Sequence, residues 1–489
     1  MKRFYSLIAF LLLFSMLLTG CSVFSSPTDN STDDEGAHSS REPLDTDSEG
    51  GTGEEEESTG SEIYNPDPSE STIPVVSVTT EDAKPITSRT RYKNATVTIS
   101  GAQYAHYNVT LSAKIRGRGH SSFDDEAEQH EYASKNSYRL KLDEKSNLLG
   151  IGETADKDWV LISCKYDIST LRNEFIWNLA DRLGTIPYVP SGTWVNLYVN
   201  GQYRGMYTLC EKIEVASDRV NIDESPSEDP NKVGYLVEYD LRGAYESGAK
   251  KDLTYFYIPG LDETFAWTIK SEVHNAKVTA AIRSHLIACN EAILSGDRSK
   301  MEALVDMDSF VDMFILQEFS KNPDAGCSSF YMQRDTGGKL HLTAPWDFDF
   351  AMGTYSVAQI TPELVADGAG VMSHPWFEFL ATQSWFMKLV LNRMEQITPL
   401  VEETWKYVKS LQPILEPAAD QNDRLWNVYG EKFSIYPSIL KRFFPNTVTK
   451  QIKLLFLSVI QSNGKHSLAK ADSFFYTIVF KKFQQYFRI

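Results

Sequence analysis

The sequence has little of what several common chemistries require. It holds five cysteines in 489 residues, and apart from Cys21 the remaining Cys164, Cys210, Cys289 and Cys327 are widely spaced with no C-x-x-C pair. That spacing argues against a zinc site and leaves small buried thiols as the plainest reading. There is no H-E-x-x-H run and no nucleophile-elbow serine, so hydrolase readings have little support. Positive charge is scarce as well. Lys and Arg number 48 against 66 Asp and Glu, for a formal charge of −18, and no basic stripe stands out. Nucleic-acid binding is therefore not expected. Much of the deficit is local: residues 22–70 contain 15 acids and a single arginine, Arg41.

The N-terminus is the clearest signal present. A basic start, Lys2-Arg3, precedes an apolar run over residues 4–18. That run is short for a membrane span and suits a signal peptide. It ends in Leu18-Thr19-Gly20-Cys21. These residues resemble a bacterial lipobox, which implies cleavage before Cys21, a lipid on its sulfur and a position on the extracellular face of the cytoplasmic membrane. Residues 21–70 are Ser, Thr, Gly, Asp and Glu with almost nothing to bury, so they read as a disordered, self-repelling spacer.

Order is expected near Ile73. Short alternating runs over 73–142 predict β-strands with turns between them. Residues 169–184 carry a helical repeat of Leu171, Phe175, Leu179 and Leu183, with Ser169 as the expected N-cap and Gly184 closing the helix. Strands return over 193–209, where Asn200-Gly201 marks a hairpin turn. G-Y-L-V-E-Y-D, 234–240, predicts another strand, 276–320 is mainly helical, and the chain beyond about 374 is helical again. The expected architecture is α+β, with 71–370 forming the core and 371–489 a helical C-terminal part of the same domain.

One stretch stands against its own surroundings. T-A-P-W-D-F-D-F-A-M-G, 343–353, reads as a core strand yet contains Asp347 and Asp349. An ionised carboxylate in such a place needs a cation or a set of donors. A second acid lies upstream: Asp324, in F-S-K-N-P-D-A-G, follows an amphipathic helix pattern. Between them, S-S-F-Y-M-Q-R-D, a Gly-Gly turn and K-L-H-L-T form a predicted hairpin that carries the chain back toward Asp324. Helix, loop acid, hairpin and acidic loop are laid out as in protein kinases, where one Asp positions the nucleophile and a second holds Mg²⁺.

Eight segments taken in order resemble the CotH family of spore-coat-protein-H-like atypical protein kinases. They are I-R-G-R-G-H-S-S (115–122), K-N-S-Y-R-L-K-L (135–142), D-W-V-L (158–161), L-R-N (171–173), V-N-G-Q-Y-R-G-M-Y-T-L-C-E-K-I (199–213), G-Y-L-V-E-Y-D (234–240), N-P-D (322–324) and P-W-D-F-D-F-A-M-G (345–353). The resemblance implies a reduced, atypical kinase-like fold, with an antiparallel sheet in its N-terminal part and helices in its C-terminal part. It also implies Mg²⁺- or Mn²⁺-dependent transfer of the γ-phosphate of ATP to Ser or Thr of a protein substrate. By residue, it implies Asp324 as the catalytic aspartate, Asp347 as the metal aspartate and Asp349 as a further metal-side acid. Lys135 is the expected phosphate-binding lysine, with Lys141 as the alternative and Arg116, beside the Gly117 turn, as a second cation. Glu211 would orient the lysine as an ion pair. Kinases usually place an Asn five residues after the catalytic Asp for a second metal; this chain has Ser329 there. That departure keeps a second class open: a catalytically impaired kinase-fold module that binds a surface or wall partner.

Overall fold

The computed structural model describes residues 64–426, apart from 121, 125–133, 168, 225, 247, 273–274, 321 and 353–373. The expected signal peptide, the lipid-bearing Cys21, most of the spacer, the closing Gly353 of the acidic motif and the tail from 427 onward lie outside the described residues. Those residues that are described belong to one compact unit, Glu62–Ile489.

Seven strands come first: β1 (Val75–Thr80), β2 (Lys93–Ser100), β3 (Val109–Arg118), β4 (Ser137–Ser146), β5 (Asp156–Ile162), β6 (Gly192–Val199) and β7 (Gln202–Glu211). Their β-branched and aromatic residues alternate with polar ones, which suits strands with one face buried. Val97, Ile99, Ile115, Leu140, Leu161, Leu197 and Leu209 all point into a single apolar core. The sheet closes into a barrel in the order β1-β2-β3-β4-β5-β7-β6. Closure depends on a parallel pairing of β1 with β6, Val75 opposite Asn196; the other pairs are antiparallel. The Asn200-Gly201 turn is as expected, with both residues at positive φ (50° and 78°), the backbone of a type I′ hairpin. The α+β expectation holds, with strands first and helices mostly later. The N-terminal sheet, however, is neither purely antiparallel nor open, and a closed seven-stranded barrel is not the usual sheet of a kinase N-terminal lobe.

The chain joins this barrel earlier than composition suggests. Asn65 Nδ2 donates to the Gly201 carbonyl (3.2 Å), Asn65 Oδ1 accepts from Tyr203 N–H (2.8 Å), and Tyr198 Oη donates to the Pro66 carbonyl (2.9 Å). Residues 64–70, which fall within the expected spacer, are thus pinned to the β6–β7 hairpin.

A helix, α1 (Arg172–Leu183), interrupts the barrel strands and ends at Gly184 in the left-handed region (φ 71°). Its start differs from expectation. Ser169 does not cap the first turn directly; the buried Asp167 carboxylate takes the Arg172 N–H (3.0 Å) and the Ser169 N–H (3.0 Å). A second sheet of five strands follows, with the first of them in the chain at its centre. It contains β8 (Tyr235–Asp240), β9 (Tyr255–Phe256), β10 (Ala266–Ile269), β11 (Phe330–Arg334) and β12 (Leu340–Thr343). Among the described residues five helices pack with it: α2 (Ala276–Leu294), α3 (Arg298–Leu304), α4 (Met307–Ser320), α5 (Pro375–Leu380) and α6 (Ser384–Leu425). They share one large core with α1 that includes Phe175, Trp267, Phe310, Phe314, Trp376 and Phe386. Where barrel and second sheet meet, Val160 and Cys210 of the barrel pack on Trp177 and Trp346. The four described cysteines are free thiols, three of them buried. Among the described residues no helix is long and apolar enough to cross a membrane.

Candidate active site

Asp324 is presented by a short 3-10 turn, Pro323–Gly326, straight after α4. Proline at the first position suits such a turn because it has no N–H to leave unpaired. Asn322 caps it, its Oδ1 accepting from Asp324 N–H at 3.2 Å. The β11–β12 hairpin then brings the chain back, with Tyr331 opposite Thr343 and Met332 opposite Leu342. This return places Asp347 close enough to Asp324 for the two carboxylates to repel. Burial first, then the Asp347 charge, push the Asp324 carboxyl up to about 7, against a smaller downward pull from Arg242.

Asp349 is buried more deeply, and its carboxyl is held well above the ordinary carboxylate range. Burial is the main cause, followed by Asp347, Asp324 and Asp167. Its Oδ1 is buried with no hydrogen-bond partner. A buried carboxylate oxygen left unpaired is costly unless something meets it. The backbone around it is strained in a matching way. Ser329 (φ 57°), Ala344 (φ 44°), Asp347 (φ 66°) and Met352 (φ 53°) all occupy the left-handed region without being glycine. Such residues persist where the surroundings over-determine them, and they concentrate at functional sites.

The surroundings that hold this loop come largely from α1. Asn173 Oδ1 accepts from Phe348 N–H (2.9 Å), and Arg172 Nε donates to the Ala351 carbonyl (3.0 Å). Arg172 is itself locked by an ion pair with the buried Asp167. Trp177 Nε1 donates to the Pro345 carbonyl (2.8 Å), and its ring stacks on Trp346 with centroids 5.7 Å apart. Met352 N–H donates to the Ser320 carbonyl (2.7 Å), tying the loop's far side to the end of α4. The L-R-N segment thus has a positioning task that its sequence alone did not reveal: one turn of helix grips both sides of Asp349.

Ser329, in the place where kinases usually carry Asn, points its Oγ at Asp347 Oδ2 at 3.4 Å. Its neighbour Ser328 donates to Asp240 Oδ1 (2.9 Å) and lies 3.4 Å from an Arg242 nitrogen. Asp240 and Arg242, from the end of β8, are therefore part of the polar rim around Asp324, and sequence reasoning did not single them out.

The expected cations are less well gathered. Lys135 is buried, and its ammonium donates to the Met206 carbonyl (2.7 Å) and lies 5.1 Å from the Tyr207 ring centre. Burial lowers its pKa to about 8. Glu211 does not pair with it. That carboxylate instead accepts from Ser191 N–H (2.9 Å) and Tyr188 Oη (3.3 Å), and burial raises it to about 7. The expected Lys135–Glu211 ion pair is thus replaced by two separate sets of partners. Lys141 lies on the outer barrel face, 3.7 Å from Asp158, which also binds Arg139 (2.6 Å). Arg116 donates to the carbonyls of Arg89 and Gly117 and lies over the Tyr92 ring. The other arginine of the same R-G-R-G motif is the one that reaches the acidic loop: the Arg118 guanidinium sits over Trp346, immediately before Asp347, at 5.5 Å.

Among the described residues no three Asp, Glu, His or Cys side chains form a ready metal cage. Mg²⁺ asks for less, since it keeps waters and phosphate oxygens in its shell and takes only one or two carboxylates from the protein. Crowded acids with raised pKa values and an orphaned Asp349 oxygen suit a site that a cation completes. In comparison with known proteins, residues 114–447 match the family model described as CotH kinase protein. No curated protein matches the chain.

Proposed function

The chain belongs to the CotH kinase protein family, and from that premise we propose that it is an atypical protein kinase tethered at the cell surface. It transfers the γ-phosphate of ATP to a Ser or Thr hydroxyl of an exported or surface protein. The observation that carries this reading is the unpartnered, buried Asp349 oxygen beside Asp347, on the loop that returns to Asp324.

In this reading Asp324 faces the acceptor hydroxyl and takes its proton. The acceptor oxygen forms a bond to the γ-phosphorus while the bond from that phosphorus to the bridging β–γ oxygen breaks, and ADP leaves with the electron pair. A carboxyl poised near neutral pH suits a group that must accept that proton and release it afterwards. Asp347 and Asp349 would hold Mg²⁺ or Mn²⁺, with the Ser329 hydroxyl as a neutral oxygen beside them. The cation, when bound, neutralises charge on the phosphate oxygens. Arg172 and Asn173 keep the acids in place throughout. For the phosphates, Arg118, whose guanidinium lies over Trp346 one residue before Asp347, joins the expected Lys135, Lys141 and Arg116 as a candidate cation. The barrel would stand in for an N-terminal kinase lobe, and α2 to α6 with the second sheet for a reduced C-terminal one. A lipid on Cys21 would tether the protein to the extracellular face of the membrane.

The second reading, a binding module without catalysis, draws on Ser329. A hydroxyl ligates a metal more weakly than the amide oxygen it replaces. Incubation with γ-labelled ATP and Mg²⁺ or Mn²⁺ separates the two. We expect label on Ser or Thr with the native chain and its loss in both Asp324→Asn and Asp347→Ala. No transfer, together with no metal-dependent nucleotide binding by calorimetry, would leave only the binding module.

A further inference from the structure

The chain carries far more acid than base, 66 residues against 48, yet one face of the barrel is reversed. Along β3 the inward positions are Ala113, Ile115 and Gly117, all buried, so Lys114, Arg116 and Arg118 fall on the outer face. Along β4 Leu140 and Leu142 point inward and Arg139 and Lys141 point out. The register sets these cations side by side: Lys114 lies opposite Lys141, and Arg116 opposite Arg139. The next strand sets Asp158 beside Lys141 and Val160 beside Arg139, while its other acid, Asp156, lies opposite Ser146 and faces Arg219 at 3.8 Å. Beyond Asp158, Glu214 is already engaged by Lys212 and Arg219. Five cations therefore stand on the outer face of β3 and β4, with Asp143 beyond Lys141 at the far end of β4 and Asp158 beside it on β5.

This ladder is continuous with the candidate site. Val160 packs on Trp346, and Arg118 lies over the same ring at 5.5 Å, one residue before Asp347. It could not be seen as a stripe in the sequence because its members come from segments separated by the 119–136 connection.

We propose that this β3–β4 ladder docks an acidic acceptor polypeptide and leads its Ser or Thr toward Asp324. The proposal deepens, and rests on, the reading of Asp324 as the hydroxyl-facing group. An extended acidic chain can follow two strands and turn in at Trp346. A flat anionic membrane would meet the exposed Lys114 and Lys141 but not a half-buried Arg118 packed on Trp346. Opposite charge along such a path raises encounter rate and sets direction, and it makes binding fall with salt.

The test separates docking from transfer. Anisotropy of a labelled Glu-rich, Ser-containing peptide on the full chain without nucleotide measures docking, with a Gly/Ser peptide and a Lys-rich Ser peptide as comparisons. We expect the acidic peptide to bind best and to weaken with salt. Lys114→Glu should weaken it about tenfold at low salt, and Lys114→Gln less. Lys300→Glu, on α3, should change nothing, and Mg-ATP affinity by calorimetry should be the same in the native chain and Lys114→Glu. Equal binding of the neutral peptide, no effect of Lys114→Glu, or preference for phosphatidylglycerol vesicles or an oligonucleotide of equal charge would each overturn the proposal. Docking without transfer to any peptide would remove the kinase reading and leave the surface. Transfer to the acidic peptide that is indifferent to Lys114→Glu would do the reverse.

Discussion

The barrel interior and the seam beside it, where the loop after β12 meets the barrel wall at Val160 and Cys210, obey opposite rules. Inside the barrel, Ile115, Leu140, Trp159, Leu161 and Leu209 are almost fully buried and form one apolar core. Trp159 even has its one polar atom satisfied, Nε1 donating to the Asp156 carbonyl at 3.1 Å. At the seam the chain keeps left-handed backbone at Ser329, Ala344, Asp347 and Met352, three crowding acids and an unpaired Asp349 oxygen. Each of these is unfavourable in isolation. The barrel thus supplies stability which the seam uses to hold a geometry no isolated loop would adopt.

The largest effect expected from this contrast is on the stable side. Trp159→Ala should cost about 3–5 kcal/mol in urea unfolding, because it empties the centre of the barrel and leaves the Asp156 carbonyl without its donor. A loss below about 1 kcal/mol would show that the barrel is not where the stability lies.

The seam should respond in the other direction. Asp349→Asn removes one of three mutually repelling acids while keeping the side chain's shape. Without metal, its thermal midpoint should rise by the equivalent of about 1 kcal/mol. Metal-dependent nucleotide binding should weaken about tenfold or more. A lowered midpoint with metal dependence intact would mean that Asp349 is a structural acid after all, and the contrast between the two regions would collapse.

How far the sequence could be read follows the same division. Strands showed through alternation, and α1 through its apolar repeat, because burial on one face leaves a local trace. The approach of Asp347 to Asp324 was legible too, since a hairpin of known length must return the chain. Barrel closure was not, because β1 pairs with β6 across more than a hundred residues and neither strand carries a mark of its partner. Nor could the residues tell Arg118 from Arg116. Both point outward on β3, and only the packing of Trp346 against Trp177 decides which of them meets the acidic loop. The direction of the Lys135 side chain was hidden for a related reason. It precedes β4 at a point where parity does not say whether the ammonium turns outward, and the structure turns it in, to Met206.

A pH-dependent effect, confined to alkaline conditions, sharpens the link between α1, which grips the acidic loop, and α6, which runs beside it. Glu174 follows Asn173 directly, and its Oε1 accepts from Tyr407 Oη on α6 at 2.9 Å. Burial raises this carboxyl to about 7, against a small downward pull from Tyr407. Farther along, Arg182 pairs with Glu403 at 3.1 Å, and Thr404 Oγ1 donates to Asn178 Oδ1 at 3.2 Å, so the charged pair lies beyond Glu174. The folded pKa is above the unfolded one. The contribution to stability is therefore complete below the unfolded value and is lost as pH rises through about 7. Glu174→Gln keeps an acceptor for Tyr407 and cannot ionise. It should match the native chain at about pH 4 and exceed it by about 1–2 kcal/mol at about pH 8. A difference that stays constant across that range would mean that Glu174 is ionised in the folded protein and that the α1–α6 contact tolerates its charge.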